Sequence, residues 1–279
     1  MIPSSTATSR AVHGGRLSLP LRARGDRKAL VVSPSGKEPN LKAFLLAAGH
    51  GTRLRPLTDK IPKCLLPIRG IPMLQIWLET CSYFGIEEVL INIHAHAQAV
   101  HEFLRKHPHS SKVRVVEEKE LLGSAGTLLK NREWVGSEDF FWVFYADVLN
   151  QVDFSAMLRL HQARRPAATL GASCVPDPSR CGILDIAEDG TVVDFVEKPV
   201  HPRGSLAFSG LLLGTQSLLD AIPLKQPADL GFDVLPRLAG KMVVYPISTY
   251  LLDIGTMENY EIAQSTWPAS YPSQGEVND

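Results

Sequence analysis

Short apolar runs that stop abruptly at a glycine, a histidine or an aspartate recur through the middle of the chain. Phe44-Leu45-Leu46-Ala47-Ala48 ends at Gly49 and reads as a buried strand. Val89 to Ile93, Val113 to Val116 and Phe140 to Ala146 read the same way. Between them the apolar spacing lengthens to the helical period, predicting helices over 72–84, 97–106 and 124–132. Strand alternating with helix predicts an α/β fold in which a doubly wound, parallel sheet carries helices on both faces.

Farther on the pattern changes. Gly182 to Ile186, the turn Glu188-Asp189-Gly190, and Thr191 to Val196 predict a hairpin. A further strand is expected over 206–214 and a second hairpin over 242–253. The chain therefore starts as a doubly wound unit and continues as a mixed sheet. Residues 1–40, rich in Ser, Arg, Gly and Pro without a sustained period, read as a disordered tail. Arg10, Arg16, Arg22, Arg24 and Arg27 among few acids also fit an organelle transit peptide, and an artefact of the gene start stays open too. The folded domain is expected over 41–265, with a C-terminal tail over 266–279.

Composition adds mainly exclusions. The 279 residues suit one large α/β domain or two small ones, and 29 basic side chains balance 29 acidic ones. That balance gives no reason to expect a nucleic-acid or membrane partner, and no apolar run approaches the roughly 18 residues of a membrane span. Cys64, Cys81, Cys174 and Cys181 form no C-x-x-C pair and follow no secretory segment, so a reduced, cytoplasmic protein is expected, with Cys174 and Cys181 structural. His94, His96 and His101 crowd one region, but nothing completes a metal set, and they read as solvated loop residues. A homo-oligomer stays open.

The chemistry starts at Gly49-His50-Gly51-Thr52-Arg53, directly after the first strand. Glycines let the backbone turn sharply and bring its N–H groups near a phosphate, and ligands of open α/β sheets bind beyond the carboxyl ends of strands. Leu54 stands where the dinucleotide fingerprint needs a third glycine, and the ATPase P-loop pattern never occurs. Arg53, Arg55, Lys60 and Lys63 follow, with Pro56 and Pro62 stiffening the segment; such a loop can neutralise a triphosphate and an expelled pyrophosphate. Asp147 and Asp253 each end an apolar run, so both are placed at strand ends facing the same crevice. Two carboxylates converging on one triphosphate would suit Mg²⁺.

The run from Gly49 through Thr58, continuing to Ile61-Pro62-Lys63, resembles the G-x-G-x-R-x-x-P-L-T-x-x-x-P-K signature of the sugar-1-phosphate nucleotidyltransferase family at every fixed position. The resemblance extends over about 42–265. It implies a Rossmann-like nucleotide-binding core with an inserted sugar-binding hairpin region, and an enzyme that joins a nucleoside triphosphate to a sugar 1-phosphate with release of pyrophosphate. It places Ala48, Gly49, Gly51, Thr52 and Arg53 on the nucleotide. Tyr145-Ala146-Asp147 and Leu252-Asp253-Ile254-Gly255-Thr256 are similar to the family's two metal segments, with Tyr250 in place of a tryptophan. Arg53, Lys63, Asp147 and Lys198 are the implied catalytic residues and Mg²⁺ the implied cofactor.

On the sugar side, Glu197-Lys198-Pro199 resembles the family's E-K-P. The resemblance gives Lys198 the sugar phosphate, Glu197 the sugar hydroxyls and Gly182 a backbone contact. Where many members read N-A-G, this chain reads Phe208-Ser209-Gly210; either the sugar is unusual or Ser209 takes over part of the hydroxyl contact. Glu117 to Thr127 resembles the base-binding segment, with Gly123 against the base. An acid at Glu118, where users of thymidine or uridine triphosphates often carry Gln, implies GTP, with mannose 1-phosphate or heptose 1-phosphate as acceptor. A uridylyl-, thymidylyl- or adenylyltransferase is the alternative. Regulatory subunits that only bind nucleotide sugar usually lose these positions, all of which are intact here. No hexapeptide-repeat β-helix is present, so a second acyltransferase activity is not expected.

Overall fold

A computed structural model describes residues 40–268. The expected N-terminal tail, apart from Asn40, and the expected C-terminal tail beyond residue 268 lie outside them.

The chain opens with β1 (Lys42–Leu46), the two-residue strands β2 (Pro67–Ile68) and β3 (Ile71–Pro72), and α1 (Met73–Tyr83). Then come β4 (Glu88–Ile93), α2 (Ala97–Lys106), β5 (Val113–Glu117), α3 (Ser124–Lys130), α4 (Arg132–Val135), β6 (Phe141–Tyr145) and β7 (Val148–Asn150). The second half holds α5 (Phe154–Arg164), β8 (Ala168–Cys174), β9 (Gly182–Ile186), β10 (Val192–Glu197), β11 (Leu206–Gly214) and α6 (Gln216–Asp220). β12 (Met242–Pro246), β13 (Leu251–Asp253) and α7 (Met257–Thr266) complete it.

Nine strands form one mixed sheet, in the order β10-β9-β11-β6-β1-β4-β5, with β8 paired to β11 and β12. The centre, β6-β1-β4-β5, is parallel and flanked by helices. Its strands are apolar on both faces because both are covered: Phe44, Leu90, Ile91, Val143 and Phe144 are fully buried. Trp77 of α1 stacks on Phe144 at 4.7 Å. Because these strands run the same way, the segments after Leu46, Ile93, Glu117 and Tyr145 all emerge at one edge of the sheet.

The alternation of strand and helix is as expected, and the 182–196 hairpin forms as β9 and β10. The expected hairpin over 242–253 does not form. β12 pairs parallel with β8, and β13 pairs antiparallel with β7. After Pro246 the chain leaves the sheet, and the short β7, just beyond Asp147, supplies the partner of β13. That pairing matters for the site, because its register sets Asp253 opposite Val148.

Candidate active site

The loop after β1 keeps its shape through local demands. Gly51 has φ +64, and a Cβ there would lie 2.8 Å from Thr58 Cγ2, while the Thr58 hydroxyl donates to the Gly51 carbonyl at 2.8 Å. Gly49 meets no such demand, since a Cβ there would touch nothing in the chain. Ala48 is buried, Gly51 half-buried, and Gly49, Thr52 and Arg53 are exposed. Leu54, fully buried, anchors the turn that carries Arg53.

Lys63, on a short turn behind Pro62, makes an ion pair with Asp147 Oδ2. Asp147 follows β6, and its carbonyl accepts from Ile254 N at 2.9 Å, which fastens it to the segment after β13. The carboxyl of Asp253 accepts from Gly255 N at 2.6 Å. Asp253 is exposed at its strand end, with Arg53 and Lys63 gathered near its carboxyl around Gly255. Lost hydration and then the Asp147 charge raise its pKa, opposed by Lys63, the Gly255 N–H and Arg53. A Cβ on Gly255 would lie 2.7 Å from Asp253 Oδ1, 2.8 Å from Arg53 Nη2 and 3.3 Å from Lys63 Nζ. Three charged groups from separate parts of the chain thus converge on one glycine, with Asp147 held by Lys63. Among the described residues no third His, Cys, Asp or Glu completes a metal cage with the two aspartates. A pair of carboxylates with open coordination fits a hard cation that brings phosphate oxygens and water with it.

The sugar-side residues gather at the end of the β9–β10 hairpin. Gly182 pairs with Glu197. A Cβ on Gly182 would come within 2.4 Å of Phe195 Cζ and 2.7 Å of Glu197 Oε2. Burial raises the Glu197 pKa, against the pull of Lys198 and with Asp229 adding to it. Lys198 has φ +48, a strained value for a side-chain-bearing residue, and its N–H donates to the Cys181 carbonyl at 2.9 Å. The Cys181 thiol is pushed up by burial and then by the Asp253 and Glu197 charges.

Two of the expected contact residues have partners or surroundings that the sequence does not reveal. Glu118 is only 3% exposed, and its carboxylate is fully engaged within the chain. Oε1 accepts from Asn92 Nδ2 at 2.9 Å and from the Thr127 hydroxyl, and Oε2 accepts from Leu122 N at 3.1 Å. Asn92 Oδ1 in turn accepts from Ala47 N at 2.8 Å. Glu118 therefore ties the phosphate loop to the base segment through Asn92. Ser209 turns its hydroxyl toward Gly171 and Ile247, where it finds no partner. Strand alternation puts Phe208 on the other face, against Tyr145 and Phe195 at 6.0 and 6.4 Å. Gly123 also has a packing reason: a Cβ there would lie 2.2 Å from the Ala228 carbonyl, which accepts from Ala125 N and Gly126 N. Of the histidines expected to be solvated, His96 is exposed and His94 and His101 are half-buried; His94 Nδ1 lies 2.6 Å from the Glu118 carbonyl, His96 Nε2 3.3 Å from the Thr58 carbonyl, and His101 Nε2 2.7 Å from Glu117 Oε1.

Sequence reasoning missed the segment from Ala228 to Asp233. Asp229 Oδ1 accepts from Gly231 N at 2.8 Å, and its Oδ2 from the Ser124 hydroxyl at 2.9 Å. Tyr145, whose phenol pKa is raised by burial and by Asp229, lies close to Ser124. A Cβ on Gly231 would come within 2.3 Å of Glu197 Oε2. The segment thus touches both the start of α3 and the sugar-side glutamate. An aspartate followed by turn residues is a common cap, so nothing in the sequence singled it out.

Residues 42–269 match the profile of the Nucleotidyl transferase family, and the chain belongs to that family. It is 32% identical over 227 residues to "Probable mannose-1-phosphate guanylyltransferase 2" of Oryza sativa, covering 79% of this chain and 63% of that protein. To mannose-1-phosphate guanylyltransferase 1 of Arabidopsis thaliana it is 31% identical, with the same 79% and 63% coverage. The chain thus spans just under two thirds of the length of these relatives. Among solved structures, HddC from Yersinia pseudotuberculosis complexed with GMP-PN superposes with a TM-score of 0.68 at 25% identity, over 81% of this chain and 99% of that one. No helix among the described residues is long and apolar enough to cross a membrane.

Proposed function

We propose that the chain is a sugar-1-phosphate guanylyltransferase that uses GTP and Mg²⁺, with mannose 1-phosphate or a heptose 1-phosphate as acceptor. The observation that carries the transferase chemistry is the convergence of Arg53, Lys63 and Asp253 on Gly255, beside Asp147. GTP is supported by the guanylyltransferase relatives and by the nucleotide named with HddC. In this reading the protein works in the cytoplasm on small molecules.

The reaction is an in-line displacement. An oxygen of the sugar 1-phosphate bonds to the α-phosphorus, the bond from that phosphorus to the bridging oxygen breaks, and pyrophosphate leaves with the electron pair. The attacking oxygen is already ionised, so no side-chain base is required, and the protein contributes alignment and charge stabilisation. Ala48, Gly49, Gly51 and Thr52 would cradle the phosphates, with Gly49 free of any packing duty and open to close approach. Arg53 and Lys63 would neutralise charge building on the leaving pyrophosphate. Asp147 and Asp253 would hold Mg²⁺, which when bound supplies further neutralisation of the phosphate oxygens. Lys198, strained in place above the hairpin, would orient the incoming phosphate, with Glu197 and the Gly182 backbone on the sugar. Gly123 would border the base.

The test is a pyrophosphate-release screen of the five common nucleoside triphosphates against a panel of sugar 1-phosphates. GTP with a manno-configured acceptor should turn over fastest. A clear preference for UTP or dTTP would remove the guanylyl assignment, and silence across the panel would remove the transferase itself.

A further inference from the structure

Phe232 is 58% exposed, yet it is not a stray surface apolar residue. It lies on the turn Leu230–Val234, a single turn of π-helix, a form that often marks functional positions. That turn is fixed at both ends. Asp229 Oδ1 accepts from Phe232 N at 3.2 Å as well as from Gly231 N, and Asp233 Oδ2 accepts from Asp229 N at 2.8 Å. Asp233 is also paired with Lys225 Nζ at 2.6 Å. Gly231 packs directly on the Glu197 carboxylate, so the next side chain is carried to the mouth of the sugar side. There the Lys198 ammonium sits 5.6 Å from the centre of the Phe232 ring and 3.6 Å from Glu197 Oε1.

We infer that Phe232 is a wall of the acceptor site: it steadies Lys198 through its ring and offers its exposed face to the C–H face of a pyranose 1-phosphate. This rests on the transferase reading above. A cation over a ring is attracted by the ring's quadrupole, and the same apolar face suits the axial C–H groups of a sugar while leaving the hydroxyls to Glu197. Removing both of these weak attractions at once corresponds to about a tenfold change in affinity. An acyclic alditol phosphate, lacking a flat C–H face, would gain little from the ring. The acceptor class is therefore a cyclic sugar phosphate.

The wild-type screen comes first and decides the transferase reading alone. With its best pair, Phe232→Ala should raise the KM for the sugar 1-phosphate about tenfold and leave that of the nucleoside triphosphate within about twofold. Phe232→Trp should restore the acceptor KM, and because the side chain is exposed the melting temperature of both variants should match wild type. An unchanged acceptor KM, an equal rise in both KM values, or no recovery with Trp overturns the assignment while the transferase reading stands. If no pair turns over, that reading fails, and calorimetric titration with mannose 1-phosphate decides Phe232. About tenfold weaker binding by Phe232→Ala supports it, and equal binding overturns it.

Discussion

Lys63 is ion-paired to Asp147, and Asp147 is fastened through its carbonyl to Ile254, one residue past Asp253. A cation, two carboxylates and the backbone of a second strand therefore form one unit, which the β7–β13 pairing holds together. Lys63 thereby compensates the charge of Asp147.

Removing either carboxylate's charge should abolish most turnover. Asp147→Asn and Asp253→Asn keep the shape of each side chain, so circular dichroism should be unchanged while kcat with Mg²⁺ as the only metal falls by at least about a hundredfold. Near-wild-type turnover by either purified variant would end the metal assignment.

Asp253 should also bear on stability. The pKa of Asp253 is raised, so its folded form takes up protons more readily than its unfolded form. Its ionised state opposes folding near neutral pH, and that penalty fades as pH falls through the folded pKa, levelling off below the unfolded value of about 4. Asp253→Asn is accordingly expected to melt at or above wild type at neutral pH, with the two curves converging near about pH 4. A variant that melts below wild type at neutral pH would contradict this.

Glu118→Gln tests the buried network. The new amide would turn an N–H toward Leu122 N–H or toward the Asn92 amide, leaving at least one donor unpaired at a cost of about 1–3 kcal/mol. For a domain of this size that is roughly 2–4 °C of melting temperature per kcal/mol. Use of GTP and UTP should fall in parallel, because the change acts on the spacing of two loops. A shift in base preference at an unchanged melting temperature would return Glu118 to the base.

Much of this was readable because the relevant residues lie at strand ends. The apolar runs before Gly49, Asp147 and Asp253 locate the crevice without knowledge of any contact. What escaped depends on contacts that no local pattern announces. The bonds that Glu118 accepts come from Asn92 on β4, Thr127 on α3 and the Leu122 N–H in the loop between β5 and α3, and only the fold brings these together. Ser209 and Phe208 alternate as any strand does, but the sequence does not say which face holds Tyr145. The Asp229 turn reaches Ser124 across 105 residues, and its importance comes entirely from that contact and from Gly231 against Glu197. The false 242–253 hairpin has the same origin: two neighbouring β runs each found a partner elsewhere.

Gly255→Ala probes the convergence itself. The methyl would sit 2.7 Å from Asp253 Oδ1, 2.8 Å from Arg53 Nη2 and 3.3 Å from Lys63 Nζ, and the first two are closer than carbon and oxygen or nitrogen tolerate. Arg53 is exposed and can swing away, but Asp253 is tethered by the Gly255 N–H and cannot yield without losing that bond. The arginine should therefore leave the triphosphate, and the carboxylate should tilt out of its geometry toward Asp147. Since displacement of a reacting group by about 1 Å costs on the order of a hundredfold, kcat/KM should fall by about that factor. The damage should fall on the nucleotide side: the Mg²⁺ concentration for half-maximal rate and the KM of the nucleoside triphosphate should rise, with the acceptor KM little changed. Gly182→Ala should do the reverse, because its methyl meets Phe195 and Glu197, and Phe195 is a buried ring, so that variant should also lose stability. Steady-state kinetics with each substrate varied in turn separates the two patterns. If Gly255→Ala instead raised only the acceptor KM, Arg53, Lys63 and Asp253 would not be the triphosphate-binding group.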